Sequence, residues 1–171
     1  MNLRRMKNRL IAVAASRLPD LAQGLSARYA PVETIDIPWV KNLKPLDQCR
    51  VAMVTTAGLH HSHQTPFDMT DPDGDPTFRR IESPTIIQDY LITHDYYNHK
   101  DAERDINVVF PIQRLMDINR AGVIKGVADS HYSVMGHIDG RHIRTLVEDT
   151  APQIARHLVS DRADIVLLTP G

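Results

Sequence analysis

Arg50-Val-Ala-Met-Val-Thr-Thr-Ala-Gly58 is a continuous run of apolar and β-branched residues that closes on small ones. A strand with one wet face would alternate in polarity. This run does not, so it predicts a strand buried on both faces, with a tight loop at its carboxyl end. Such strands belong to parallel sheets covered by helices, and the residues downstream supply the helices. Phe110-Pro-Ile-Gln-Arg-Leu-Met-Asp-Ile-Asn-Arg-Ala-Gly122 is bracketed by an early proline and a terminal glycine, and Ile112, Leu115, Met116 and Ile118 give it a buried stripe. Val123 to Ala128 predicts another strand. From Ile143, apolar residues at Leu146, Val147, Ala151, Ile154, Ala155, Leu158 and Val159 describe one helical face. Pro152 must kink or split that element, with Thr150 capping its second piece. Ala163-Asp-Ile-Val-Leu-Leu-Thr-Pro-Gly171 predicts a last buried strand with a turn at its end.

Strand, helix, strand, helix, strand is the order of an α/β protein, here a Rossmann-like, mainly parallel sheet with flanking helices. The sheet is expected to be incomplete at the C-terminus, because a buried parallel strand normally feeds a covering helix and none comes after Ile165 to Leu168. Phe78 to Glu82 and Thr85 to Thr93 predict short strands beside the main sheet, and Asp71-Pro-Asp-Gly-Asp-Pro76 is turn chemistry. Toward the N-terminus, Leu3, Met6, Leu10, Val13 and Ala14 recur at helical spacing until Pro19, and a second helical stretch is predicted from Leu21 to Tyr29. Pro31 to Leu46 reads as an extended connector. Residues 1–46 are therefore a helical segment with its connector, and 47–171 form the α/β domain.

With 171 residues, 42% hydrophobic and 24% charged, the composition is that of one globular domain with an ordinary core. A net charge of −1 gives no general attraction to nucleic acid or to an anionic membrane, and the apolar runs are too short to span one. Arg4, Arg5, Lys7 and Arg9 before Leu10 to Ala15 loosely imitate a secretory signal. Arg17 and Asp20 soon break the apolar character, so an amphipathic helix and a cytoplasmic chain are the expectation. Cys49, the single cysteine, excludes an internal disulfide and reads as a buried thiol.

Six of the nine histidines fall between His60 and His131. His60 lies just past a strand end, where a ligand or a general acid would sit, while His61 and His63 are expected to face solvent. His94, Asp95, His99 and Asp101 carry metal-ligand chemistry, but their spacing matches no standard closed site. Internal hydrogen bonds are the better reading there, and no metal centre is expected. His131 and His137 flank Tyr132-Ser-Val-Met-Gly136 and would line a crevice with His60. The candidate catalytic residues are thus His60, His94, His131 and His137. Thr55, Thr56, Gly58 and Thr169 are candidates for presenting donors to a carboxylate substrate. No glycine-rich nucleotide motif is present.

Several stretches occur together in order: Val51-Ala-Met-Val-Thr-Thr-Ala-Gly-Leu-His60, Gln64-Thr-Pro-Phe-Asp68, Gly74-Asp-Pro-Thr-Phe-Arg79, Thr93-His-Asp-Tyr-Tyr97, Asp105-Ile-Asn-Val-Val-Phe-Pro111 and His131-Tyr-Ser-Val-Met-Gly-His137. Leu146-Val-Glu-Asp-Thr-Ala-Pro-Gln-Ile-Ala155 and Asp164-Ile-Val-Leu-Leu-Thr-Pro170 complete the series. From about Arg50 onward the chain resembles the selenoprotein B family of glycine, sarcosine, betaine and D-proline reductases. The resemblance implies reductive cleavage of a carbon–nitrogen bond in a small amino acid or amine, with residues 47–171 as the front portion of the reductase domain. It also implies a selenocysteine or cysteine just after Gly171, beyond the Thr169-Pro170 turn, and a second cysteine shortly after it. The expected partners are a pyruvoyl-bearing subunit that holds the substrate and thiol or selenol proteins that carry electrons. No cofactor is expected in this chain itself. The competing readings are a degenerate binding or scaffold subunit, or a metal-dependent hydrolase or lyase built on the histidine-rich region.

Overall fold

The computed structural model describes residues 3–27, 40–83 and 89–171. They fall into two compact units, one of residues up to Leu43 with Asp95–Asn98, the other of Lys44–His94 with His99–Gly171.

In the larger unit the predicted central strand is the hub. Strand β1 (Arg50–Thr55) is buried at Val51, Ala52, Met53 and Thr55 and is paired on both edges. Along one edge runs β7 (Ile165–Thr169), parallel and in register from Val51 opposite Ile165 to Thr55 opposite Thr169. The other edge is shared by two parallel strands, β5 (Gly126–Val127) beside Arg50 and Val51, and β6 (Ser130–Val134) beside Val54 and Thr55. Strand β3 (Phe78–Glu82) adds antiparallel to β6. The fold is α/β with a mixed, mainly parallel sheet and flanking helices. A separate antiparallel pair joins β2 (Leu59–His61) to β4 (Tyr90–Ile92).

Between β5 and β6 the partner edge is interrupted, and two bonds bridge the gap. The Ala128 N–H donates to the Val51 carbonyl at 2.9 Å. The Met53 N–H, which has no strand carbonyl opposite, donates to Nδ1 of His131 at 3.0 Å. A buried imidazole therefore stands in for a missing rung of the ladder.

One face of the sheet packs Ala52, Ala128, Tyr132 and Val134 against Ile154 and Leu158 of the last helix (Ala151–Ser160). On the other face the Thr55 and Thr169 hydroxyls both donate to the Val109 carbonyl, at 3.0 and 2.8 Å. They fasten the short turn Ile106–Val108 that leads through Phe110 into a helix at Ile112–Arg120. That helix starts after Pro111 and is succeeded by Gly122 in the left-handed region, as its sequence brackets predict.

The helical element begun at Arg141–Thr145 is neither capped nor split at Thr150 as predicted. It passes through a π turn at Leu146–Thr150 directly into the last helix. The wider turn accommodates the missing N–H and bulky ring of Pro152 without ending the helix. Thr150 has helical dihedrals and no capping bond; its hydroxyl donates instead to the Pro76 carbonyl at 2.6 Å. Thr150→Val keeps the shape and removes only that donor, so it is expected to cost about 1 kcal/mol in urea denaturation. An unchanged midpoint would show that the bond adds nothing.

Two other expectations are corrected. Strand β7 is not buried: Val166, Leu167 and Leu168 are 37%, 40% and 72% exposed, because among the described residues β7 pairs with β1 alone. A continuous apolar run signals burial only when both edges and both faces find neighbours. Strand β6, a stretch that the sequence places only at a strand end between two histidines, is itself a fully buried member of the sheet.

In the smaller unit, helices span Leu3–Ala15 and Pro19–Ser26, so that Pro19 opens the second helix. Arg5 and Arg9 both bond the Asp95 carboxylate, at 2.5 and 2.8 Å, and its side chain is wholly buried. Burial alone would raise the Asp95 pKa, but the two guanidinium partners hold it below the ordinary carboxylate value. The parts of the predicted helix, connector and strand at 28–39 and 84–88 lie outside the described residues. Among those described, no helix is long and apolar enough to cross a membrane.

Candidate functional site

Because β1, β6 and β7 are parallel, their carboxyl ends converge on one side of the sheet. There the chain leaves the strands at Thr56–Gly58, at Met135–Gly136 and at Pro170–Gly171, and Ala57 is bridged to Met135. The Thr56 N–H donates to the Thr169 carbonyl at 3.0 Å, and the Gly58 N–H to the Val134 carbonyl at 3.0 Å. The Gly171 N–H donates to the Thr56 hydroxyl oxygen at 3.0 Å. Gly171 lies flush on the turn: a Cβ there would overlap the Ala57 Cα and come within 2.8 Å of its nitrogen. Gly58 is equally confined, since a Cβ would stand 2.6 Å from the Thr93 carbonyl oxygen.

The Thr93 N–H donates to the Gly58 carbonyl at 2.9 Å, which brings the next residue, His94, to this junction. His94 is 3% exposed, and its Nε2 accepts the Gly136 N–H at 3.2 Å. A neutral His94 ring therefore carries its proton on Nδ1. A Cβ on Gly136 would lie 3.0 Å from the Thr56 carbonyl oxygen and 3.2 Å from the His94 ring, so Thr56, Gly136 and His94 form one close-packed seat with Gly171 beside it.

The other predicted histidines stand elsewhere. Nδ1 of His60 is 2.9 Å from the His61 carbonyl, which can only accept, so that nitrogen donates; Nε2 lies 2.8 Å from the Thr93 hydroxyl. Both ring nitrogens are thus engaged, and His60 forms part of the wall of a recess of about 660 Å³ with Tyr90, Thr93, Glu103 and Arg104. His131 is fully buried in the sheet. Burial lowers its pKa to about 4, against the weaker pull of the Asp129 and Asp161 charges. His137 donates from Nε2 to the Pro72 carbonyl at 3.0 Å. His61, expected to face solvent, is 4% exposed and stacks between His63 and Tyr90, with ring centroids 5.3 and 5.0 Å away. Burial and the neighbouring His63 push its pKa down.

The four predicted substrate-binding residues do meet at the strand ends, but their donors are occupied within the protein. The Thr55 and Thr169 hydroxyls bond Val109, the Thr56 N–H bonds Thr169 and the Gly58 N–H bonds Val134. They brace the turn that carries Gly171. His94, Asp95, His99 and Asp101 do not converge: Asp95 holds two arginines and His99 pairs with Glu103 at 2.8 Å. Among the described residues no group of three or more His, Cys, Asp or Glu side chains is placed to hold a metal ion. The residues that sequence reasoning passed over are Gly136 and Val109. Gly136 sat within a quoted motif, whereas nothing in a sequence marks a backbone carbonyl that receives two hydroxyls.

The strand-end turn, His94 and Gly136 all lie within the stretch covered by the similarity to known proteins. The D-proline reductase subunit gamma of Acetoanaerobium sticklandii is 33% identical over 152 residues, which take in 88% of this chain and 60% of that protein. The match thus spans 60% of the length of that curated relative. No solved structure matches it. The family model for the glycine/sarcosine/betaine reductase selenoprotein B matches residues 26–171, and the chain belongs to that family.

Proposed function

We propose that this chain is the front part of a substrate-processing subunit of an amino-acid or amine reductase, which cleaves a carbon–nitrogen bond through a selenol or thiol placed just after Gly171. The observation that carries this reading is the seat of Gly171. Gly171, just past Thr169-Pro170, is bonded to Thr56 and pressed on Ala57 at the carboxyl ends of β1 and β7, where catalytic groups gather in open α/β sheets. A residue joined to Gly171 starts from that seat, next to Thr56, whose carbonyl Gly136 packs against.

The chemistry balances with two chalcogens. An ionised selenol or thiol bonds to the substrate carbon as the carbon–nitrogen bond breaks, and the nitrogen leaves with its electron pair and takes a proton. A second thiol then attacks the chalcogen. The carbon keeps the electron pair and is protonated, and the two chalcogens remain joined until an external thiol or selenol carrier reduces them. A pyruvoyl group on a partner subunit would hold the substrate amine. His94, whose Nε2 accepts the Gly136 N–H, is the histidine assigned to this junction in this reading. His60, His131 and His137 act through the bonds already described, as do Thr55, Thr56, Gly58 and Thr169.

The test is the nucleotide sequence after the Gly171 codon, then assay of the protein it encodes. A UGA read as selenocysteine, or a cysteine codon, is expected there with another cysteine shortly after. His94→Gln in that protein is then expected to lower dithiol-dependent amine release by about 100-fold. A frame with neither chalcogen overturns the reading.

A further inference from the structure

At the amino ends of β1, β5 and β7, on the opposite side of the sheet from Gly171, lies a recess of about 450 Å³. Its lining includes Lys44, Arg50, Lys125, Gly126, Arg162 and Asp164, four cations and one carboxylate in a chain whose net charge is −1. Asp164 is fully engaged: one oxygen takes the Lys44 ammonium and the other the Arg50 backbone N–H at 2.9 Å. The Arg50 guanidinium bonds Asp129 at 2.8 Å and the Val127 carbonyl at 3.3 Å. Once these pairs are set aside, Lys125 and Arg162 remain: neither comes within ion-pair distance of a carboxylate among the described residues, though the Lys125 charge acts on Asp164 from farther away.

Arg162 carries a second, independent signal. It has φ +57, the one non-glycine residue in the left-handed region among those described. It ends the last helix in a turn where the Ala163 N–H reaches back to the Leu158 carbonyl at 3.0 Å, the position glycine normally fills. An arginine kept where glycine is easier, lining a recess with a surplus of positive charge, is strain associated with a task.

We propose that this recess binds a small multivalent oxyanion, with a phosphoryl dianion as the matching ligand. Four cations set against the carboxylates of Asp164 and Asp129 leave a surplus of two positive charges, which matches two negative ones. A guanidinium fork beside an ammonium suits tetrahedral oxygens, and the volume is that of a small-molecule site. The site lies apart from the strand-end junction and is independent of the reading given for it.

The experiment is calorimetric titration of the whole chain, at constant ionic strength in chloride, with inorganic phosphate and separately with glycerol 3-phosphate. Saturable one-to-one binding is expected. It should weaken by about tenfold or more in the Lys125→Gln/Arg162→Asn double variant, in which asparagine keeps the left-handed turn. Tighter binding of glycerol 3-phosphate assigns the site to a phosphomonoester, and equal or weaker binding assigns it to free phosphate. Amide shifts at Gly126, Arg162 and Asp164 on adding phosphate to the unaltered chain give a readout independent of the variant. The proposal is overturned by no saturation below about 10 mM, by equal affinity in the double variant, or by shifts confined to other residues.

Discussion

Gly74→Ala is expected to lower the midpoint of thermal unfolding by roughly 10 °C, corresponding to about 3–5 kcal/mol in a chain of this size. Gly74 has φ +89, which an L side chain resists. A Cβ there would also overlap the His137 carbonyl oxygen and come within 2.9 Å of the Met135 methyl. The methyl can swing away, but the carbonyl cannot, because the backbone just after it is bridged to its neighbour twice. Gly74 pairs with Ile138, and the Asp139 N–H donates to the Asp73 carbonyl at 2.8 Å. Relief must therefore come from shifting residues 135–138 as a body. Gly136 rides on that segment, so its bond to His94 should loosen in the same variant, visible as a shift of the Gly136 amide. A midpoint within about 2 °C of the parent would mean that the loop yields more easily than its bonds suggest.

This coupling bears on how much of the molecule could be read from its residues. Strand β1 was legible because a strand buried on both faces leaves an unbroken apolar run. The helix after Pro111 was legible because its ends carry proline and glycine. Strand β6 was not, although it is buried along its whole length, because Ser130, His131 and Ser133 are polar. Each bonds a partner distant in sequence: Ser133 accepts the Leu59 N–H at 2.8 Å, Ser130 accepts from Arg80 at 2.8 Å, and Nδ1 of His131 accepts the Met53 N–H. Periodicity reports side-chain transfer from water, and a polar group matched in the core escapes it.

The candidate site was legible in its membership more than in its arrangement. Thr55, Thr56, Gly58 and Thr169 were placed at strand ends by the runs that precede them, and there they are. Their hydroxyls and amides bond one another and Val109, a pattern that depends on which strands are neighbours. Of the four histidines, only His94 bonds the backbone of Gly136 at the strand ends, and it is brought there by the pairing of β2 with β4, which no local pattern announces.

The second large effect expected is a loss of stability on acidification, traced to His131. Its Nδ1 must keep a lone pair for the Met53 N–H, so the ring is neutral with its proton on Nε2. That N–H is buried without a hydrogen-bond partner among the described residues, edge-on to Phe110 with ring centroids 5.5 Å apart. A second proton would place a charge in the core and remove the acceptor that bridges β1 to β6. The folded pKa is accordingly about 4, against an ordinary value of 6.5. Proton uptake sets the sign: below pH 6.5 the unfolded chain binds a proton that the folded chain refuses. Stability therefore falls as the pH drops from 6.5, and the loss is complete near pH 4, at about 3 kcal/mol. His61, also held neutral by burial, adds a loss of the same sign. The Asp95 carboxylate, whose folded pKa is lowered, yields its contribution only at lower pH. His131→Gln separates these terms, because glutamine can accept the Met53 N–H yet does not titrate. Urea midpoints at pH 7, 5.5 and 4 should show the parent losing about 3 kcal/mol relative to this variant. A constant difference across that range would mean that His131 is not the group on which the sheet's acid sensitivity rests. A parent that falls while the variant holds would assign the missing rung between β1 and β6 to one neutral ring.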